Sequence, residues 1–302
     1  MHRMNRILCG LAMLLTVAAC SVSSINVPAI SSGSERLAGK VIWHELLTDT
    51  PVDTERFYAE LLGWEFRSLP HANLNYRMIY NEGRPVGGLI DQTQLPTSAD
   101  ISQWVSLLSV YDIAAATDAV TSGGGTVYTP PTSLGDRGEI AVVADNQGVL
   151  FALLQTQSGD PADGEDIRPG DFLWDELWAE DASAAAAFYK RLATLSVSST
   201  ELDPEGARVD YKVLSSQGQR RFGIRTNPVA ELPSLWLQYL RITDKAKLEE
   251  VVARVDSLGG KVLLPVTERP SQGHMAIIAG PSGAGIGLQT WDDKNTSGGG
   301  DA

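Results

Sequence analysis

The sequence predicts an α+β protein made of two tandem domains, and three observations carry that prediction. The chain has 302 residues, about twice the roughly 150 of an ordinary domain. The stretch Val41 to Trp64, VIWHELLTDTPVDTERFYAELLGW, returns from Phe172 as FLWDELWAEDASAAAAFYKRL. Trp43, Glu45 and Leu46 align with Trp174, Glu176 and Leu177, and Phe57-Tyr58 with Phe188-Tyr189, each pair 131 residues apart. A unit this long exceeds the roughly 20–50 residues of a solenoid repeat, so a whole domain has been duplicated. Finally, each copy opens on an alternating apolar run and continues into a capped helix, which reads as strand then helix.

Taken in order, Lys40 to Leu47 is the first strand. Thr50 is placed as N-cap, Pro51 at the first helical position and Asp53 in the first turn, all favourable where a helix begins. The helix ends near Gly63. Strands follow at Trp64 to Leu69, Asn75 to Tyr80 and Arg84 to Ile90, the last two joined by a turn at Asn81 to Gly83. Trp104 to Val110 alternates as a strand, and Asp112 caps an Ala-rich helix stopped by Gly123-Gly124-Gly125. Val127-Tyr128, Glu139 to Val143 and Val149 to Leu154 complete this half as strands. The unit is β-α-β-β-β, used twice within a first domain spanning 40–157.

Residues 158–170 are polar and rich in Pro and Gly, as a linker is. The second domain, 171–292, repeats the plan: a strand from Phe172 to Trp178, the cap Asp181, and a helix from Ala182 to Leu195. Leu235 to Ile242 matches the Trp104 strand, Thr243-Asp244 caps a helix ending at Gly259-Gly260, and His274 to Ile278 with Gly285 to Thr290 closes the domain. Residues 293–302 read as a disordered tail.

Before the first domain comes a leader, residues 1–19. His2, Arg3 and Arg6 precede an apolar run from Ile7 to Val17, too short for the roughly 20 apolar residues of a membrane span and fitting a secretory signal. Val17-Ala18-Ala19-Cys20 resembles the bacterial lipobox, which makes Cys20 a lipidated mature N-terminus; a plain signal peptide with an incidental cysteine is the other reading. Cys9 would leave with the leader, so the folded part has no thiol for a disulfide, zinc cluster or nucleophile. Residues 20–39, rich in Ser, are expected to be a flexible tether. The expected location is the bacterial cell envelope, lipid-anchored and extracytoplasmic, on the periplasmic face and at the outer membrane if the cell is Gram-negative.

Composition is globular, with 43% hydrophobic and 20% charged residues and a net charge of −13. So acidic a chain, without a basic stripe, excludes nucleic acid as a partner.

Two β-α-β-β-β units per domain, with Trp43-His44-Glu45-Leu46, Phe57-Tyr58, Leu62-Gly63-Trp64 and Val86-Gly87-Gly88-Leu89, resemble the vicinal oxygen chelate superfamily of glyoxalase I, bleomycin-resistance proteins and extradiol dioxygenases. The likeness runs from Lys40 to Trp291 and is strongest to tandem bacterial glyoxalase-like members. It implies that each domain's paired units form a half-barrel sheet whose concave face holds a ligand. Metal-dependent members place ligands on the first, fifth and last strands. The family register puts these positions at Trp43, near Val105 and at Ala152 in the first domain, and at Trp174, near Leu237 and at Gly287 in the second. None of these side chains offers a lone pair to a cation, whereas catalytic divalent sites need about three ligands, so no metal and no cofactor is expected.

Residues i and i+2 of a strand share a face, which pairs Trp43 with Glu45 and Trp174 with Glu176. Each pair is either an indole wall with a carboxylate for a small organic ligand, or a structural acceptor serving a backbone or tyrosine donor. His44 and Asp175 fall on the opposite face and are expected in solvent. His274 begins a strand, and three readings are open for it: a place at a cavity rim, a structural residue or, with Glu45 or Glu176, part of a catalytic set. Trp104 and Trp236 are expected in the core, and Tyr76, Arg77 and Tyr211 lie on middle strands of undecided facing. The leading expectation is a membrane-anchored glyoxalase-like protein that binds a small organic molecule without metal, as a monomer. The alternatives are a glyoxalase-type lyase, isomerase or dioxygenase with a non-standard site, and an envelope scaffold.

Overall fold

A computed structural model describes residues 26–69, 75–97, 99–164, 166–202, 209–229, 231–269 and 273–291. The leader, Cys20 and the 293–302 tail lie outside the described residues. The first domain runs β1 (Val41–Thr48), α1 (Pro51–Leu62), β2 (Glu65–Ser68), β3 (Arg77–Asn81), β4 (Arg84–Asp91), β5 (Gln103–Ser109), α2 (Ile113–Ser122), β6 (Thr126–Ser133), β7 (Gly138–Ala144) and β8 (Leu150–Thr156). The second repeats it as β9 (Phe172–Ala179), α3 (Ala182–Tyr189), β10 (Ser196–Leu202), β11 (Val209–Ser216), β12 (Gln219–Thr226), β13 (Leu235–Ile242), α4 (Lys245–Arg254), β14 (Lys261–Arg269), β15 (Gly273–Ala279) and β16 (Gly285–Thr290). Each domain is one eight-stranded sheet, ordered β2-β3-β4-β1-β5-β8-β7-β6 and β10-β11-β12-β9-β13-β16-β15-β14. The duplication therefore extends to strand order.

Local chemistry sets the helix starts. Asp112, Asp181 and Asp244 each accept a backbone N–H of the first turn, from Ala115, from Ser183 and Ala184, and from Lys247, satisfying donors a helix start leaves open. Thr50 differs from expectation: its side chain makes no cap bond, while Thr48 Oγ1 takes the N–H of Thr50 at 3.1 Å and reaches Thr54 Oγ1 at 2.8 Å. Helix α3 stops at Tyr189, short of Leu195. Beyond it, Arg191 and Leu192 make bonds to carbonyls three residues back, a tighter turn that swings Leu192 and Leu195 into the core.

The sheets pack back to back with the helices between them. One core cluster joins α2, β7 and β8 to α3, β11 and β12, through Ile113, Val120 and Phe151 against Ala185, Tyr189 and Phe222. Its counterpart joins α1, β3 and β4 to α4, β15 and β16. Trp104 and Trp236 lie in these cores as expected, each donating its indole N–H to a tyrosine, Tyr58 at 3.2 Å and Tyr189 at 3.1 Å. The concave faces consequently point away from each other.

The contact between domains overturns the solvent placement of His44 and Asp175. Both are buried, because the face opposite the hollow meets the other sheet where it was expected to meet water. His44 Nε2 lies 2.9 Å from Asp175 Oδ1, Ser106 Oγ donates to the same oxygen at 2.7 Å, and Gln238 Nε2 donates to Ser106 Oγ at 2.9 Å. The His44 ring stacks on Phe172 at 3.6 Å.

The expected flexible tether is also corrected, for residues 26–39. Val27, Leu37 and Ala38 are buried, and Val27 and Ile30 belong to the apolar cluster of the first domain's concave face. The Val27 N–H bonds Leu134 O at 2.9 Å. Three apolar residues among the serines suffice to hold the segment down, since each buried side chain of this size is worth about 1.5–3 kcal/mol. The linker is tied as well: Asp160 accepts from the Leu37 N–H at 2.6 Å, Ser109 Oγ at 2.5 Å and Thr156 Oγ1 at 2.9 Å.

Candidate functional site

Both candidate sites are concave sheet faces, and side-chain contacts show how strongly the sheets curl. Strands lie about 4.8 Å apart, so β3 and β7, second and seventh in the order, would be roughly 24 Å apart if flat. Yet Arg137, just before β7, reaches Tyr76 beside β3 and Met78 on it. The half-barrel is real, and an arginine spans it.

In the first hollow Glu45 Oε1 accepts from Trp43 Nε1 at 2.9 Å, Tyr76 Oη at 2.8 Å and Arg137 Nη1 at 3.3 Å. The Arg137 guanidinium lies 4.4 Å from the Trp43 ring centre, and its Nε donates to Pro28 O at 3.1 Å. Gly88, in register with Glu45 on β4, leaves the necessary room: a Cβ there would collide with both the carboxylate and the Tyr76 hydroxyl. Trp43 and Arg137 are 2% and 1% exposed, so the cluster around Glu45 is closed to solvent. Glu45 Oε2 is buried with no hydrogen-bond partner. Burial pushes the Glu45 carboxyl up to about 7, against the opposing pull of Arg137 and the bonds from Tyr76 and Trp43.

The second hollow rebuilds the same cluster differently. Glu176 Oε1 accepts from Trp178 Nε1 at 2.7 Å and Tyr239 Oη at 3.3 Å, and Oε2 from Arg269 Nη2 at 2.8 Å. Arg269 also donates to Gln289 Oε1 at 3.0 Å, and Trp174 Nε1 donates to Tyr211 Oη at 2.8 Å. Gly223 on β12 leaves the space for Tyr211 that Gly88 leaves for Tyr76. Burial lowers the affinity of Arg269 for its proton, but the Glu176 charge and the nearby phenols outweigh it and leave the pKa raised. Burial and then the Glu176 charge hold the Tyr211 and Tyr239 hydroxyls well above the ordinary tyrosine range.

Strand register makes the substitutions between the hollows explicit. Trp178, Tyr239, Gln289 and Arg225 stand where the first hollow has Leu47, Leu107, Leu154 and Ile90. The second is less covered at the equivalent tryptophan and arginine: Trp174 is half-buried where Trp43 is buried, and the Arg269 side chain is 11% exposed where that of Arg137 is 1%. Trp43 and Glu45 are thus brought together as the i, i+2 rule expects, while Glu176 takes its indole from Trp178 and Trp174 turns to Tyr211.

His274 is not gathered into either cluster. It alternates with Met275, which lies in the second hollow's apolar cluster, and so has the parity of Ala276 in the opposite core; its backbone N–H bonds Thr290 Oγ1 at 2.9 Å. Arg77 pairs with Glu55. Sequence reasoning missed Arg137, Arg269, Trp178, Tyr239 and Arg225. A signal existed for the first two, since they stand 132 residues apart just ahead of equivalent closing hairpins.

The residues in register across β1, β5 and β8 are Trp43, Leu107 and Ala152, and across β9, β13 and β16 Trp174, Tyr239 and Gly287. The fifth-strand position therefore moves two residues from Val105 and Leu237, along the same face. Neither set offers three donors to a divalent ion, and among the described residues no three His, Cys, Asp or Glu side chains cluster. Elsewhere an open groove of about 450 Å³ lies between Tyr111, Asp112 and residues 190–195. Its charged residues, Asp112, Lys190 and Arg191, are exposed, and Asp112 is engaged in capping α2; the hollows, where buried polar groups converge, are the better candidates despite its volume.

The chain has the fold of the vicinal oxygen chelate superfamily, in two tandem domains. It is 27% identical over 253 residues to a Mycobacterium tuberculosis protein provisionally named glyoxylase CFP32, covering 83% of this chain and 94% of that one. It is 26% identical to the anthracycline biosynthesis protein DnrV of Streptomyces peucetius, covering 83% and 92%. Among solved structures, the Mn(II)-bound glyoxalase from Novosphingobium aromaticivorans superposes with a TM-score of 0.56 at 14% identity, covering 84% of this chain and 82% of that one. A catechol 2,3-dioxygenase superposes with 0.55 at 14% identity, covering 84% and 88%. No family model matches the chain.

Proposed function

We propose that this glyoxalase-like protein binds a small organic ligand in the second hollow, by contact and hydrogen bonding and without the metal of its superfamily. The observation that carries this is the exchange of four apolar positions for Trp178, Tyr239, Gln289 and Arg225 in the less covered of two otherwise parallel hollows. Glu176, saturated by donors from Trp178, Tyr239 and Arg269, organises the site. The biosynthetic relatives, whose name is tied to anthracyclines, are in keeping with an indole-walled site for planar molecules. A thermal-shift series with divalent metals and aromatic metabolites tests it, since whatever binds only the native state raises the melting temperature. Stabilisation by stoichiometric divalent ion would overturn it.

The names of the relatives and the 94% coverage of one of them favour a second reading, a glyoxalase-type lyase, isomerase or dioxygenase working in the same hollow. Its test is turnover that survives chelation and disappears in Glu176→Gln.

The protein is proposed to sit in the cell envelope, anchored through Cys20 as a monomer. Five residues separate Cys20 from Asn26, a leash of six residue steps and at most about 20 Å, which would turn the first hollow to the membrane and the second away from it. Labelling with radioactive palmitate, lost in Cys20→Ser, checks the anchor.

A further inference from the structure

We infer that the ligand of the second hollow is a planar molecule carrying one carboxylate, received by Arg225. The inference rests on the reading of that hollow as the binding site. Arg225 lies between Tyr211 on β11 and Trp178 on β9 in strand register, and residues paired this way share a face. Its charge acts on Tyr239 across the hollow. Its Nε is buried and has no hydrogen-bond partner, and no carboxylate pairs with it among the described residues. The other arginine, Arg269, is already matched by Glu176 at 2.8 Å.

Among the described residues the hollow therefore holds two guanidiniums and one carboxylate, an excess of one positive charge inside a chain of net charge −13. A buried donor left open costs about 1–3 kcal/mol, more when charged, and a planar fork matches a carboxylate in shape. One spare charge calls for one negative charge; a phosphate dianion would exceed it. The partly exposed walls Trp174, Leu235, Leu264 and Met275 suit the apolar body of such a ligand, and Trp174 offers an indole face for stacking. The first hollow has Ile90 at the position of Arg225 and, with Arg137 matched by Glu45, has no such excess.

Calorimetric titration of the full chain in detergent, with 2-naphthoate, 2-naphthamide and 2-naphthyl phosphate as probes, tests this. The naphthoate is expected to bind at least tenfold more tightly than either of the others. Arg225→Ile, the residue of the first hollow, should remove about 10–100-fold of the naphthoate affinity, the worth of a charge-assisted bond, and leave naphthamide unchanged. Arg225→Gln, which keeps the polar volume, should lose the same preference and guards against misfolding, with circular dichroism as the control. Equal binding of naphthoate and naphthamide, or of naphthoate to wild type and both variants, would overturn the carboxylate while sparing the site. Tighter binding of the phosphate would replace it with a dianion. If none of the three probes binds, the site itself falls and the carboxylate with it.

Discussion

The two hollows began as one design and now differ in what fills them. In the first, Arg137, Val27 and Ile30 close over Glu45, and leucine or isoleucine occupies four of the surrounding positions. In the second, the same four positions carry Trp178, Tyr239, Gln289 and Arg225, each with a polar atom, and the equivalent tryptophan and arginine, Trp174 and Arg269, are more exposed. The buried glutamate, tyrosine and arginine persist in both, so this cluster belongs to the fold, and the two copies differ in what surrounds it.

The largest effect that can test this contrast comes from Arg137. Its side chain is 1% exposed, and Arg137→Ala leaves Glu45 and Tyr76 without their cation in a sealed site; the expected cost is about 3–5 kcal/mol in a urea melt at pH 8. Arg269→Ala, from a side chain 11% exposed, should cost less, about 1–3 kcal/mol. Equal losses would erase the distinction between filled and receptive.

Next in size is a pH dependence that arises from Glu45 in the first hollow. The Glu45 carboxyl is raised by burial to about 7 from 4.5, so between these values the folded chain holds a proton that the unfolded chain has released. Stability then falls as pH rises through that window, by about 3 kcal/mol in all. Glu45→Gln should flatten this stretch of the stability profile. A smaller effect is expected from Val27→Ala, about 1–2 kcal/mol for the lost burial, read as faster hydrogen exchange along β7. The smallest, below about 1.5 kcal/mol, is expected from Trp174→Phe, which deletes only the bond to Tyr211. Its absence from the ligand-induced change in fluorescence would place Trp174 in the binding wall.

How far the sequence disclosed this depends on the range of the interaction. Strand and helix order followed from alternation and from Asp112, Asp181 and Asp244, which act within three residues. The shared face of Trp43 and Glu45 was legible for the same reason. Arg137 and Arg269 were not, because they reach partners 92 and 93 residues away only after the sheet has curled. Nor was the burial of His44, since alternation assigns a face but does not say what covers it. The packed segment at 26–39 was hidden by composition: serine dominates the count while Val27, Ile30 and Leu37 do the anchoring.

The seam between the domains carries one more consequence. His44 and Asp175 are repeat equivalents, as are Ser106 and Gln238, yet each meets its unlike counterpart. Were the front half to dock on a copy of itself, imidazole would confront imidazole, and two rear halves would bring carboxylate against carboxylate. The seam thus works as a lock and key within a single polypeptide, in which each half fits its own sibling and would refuse its twin.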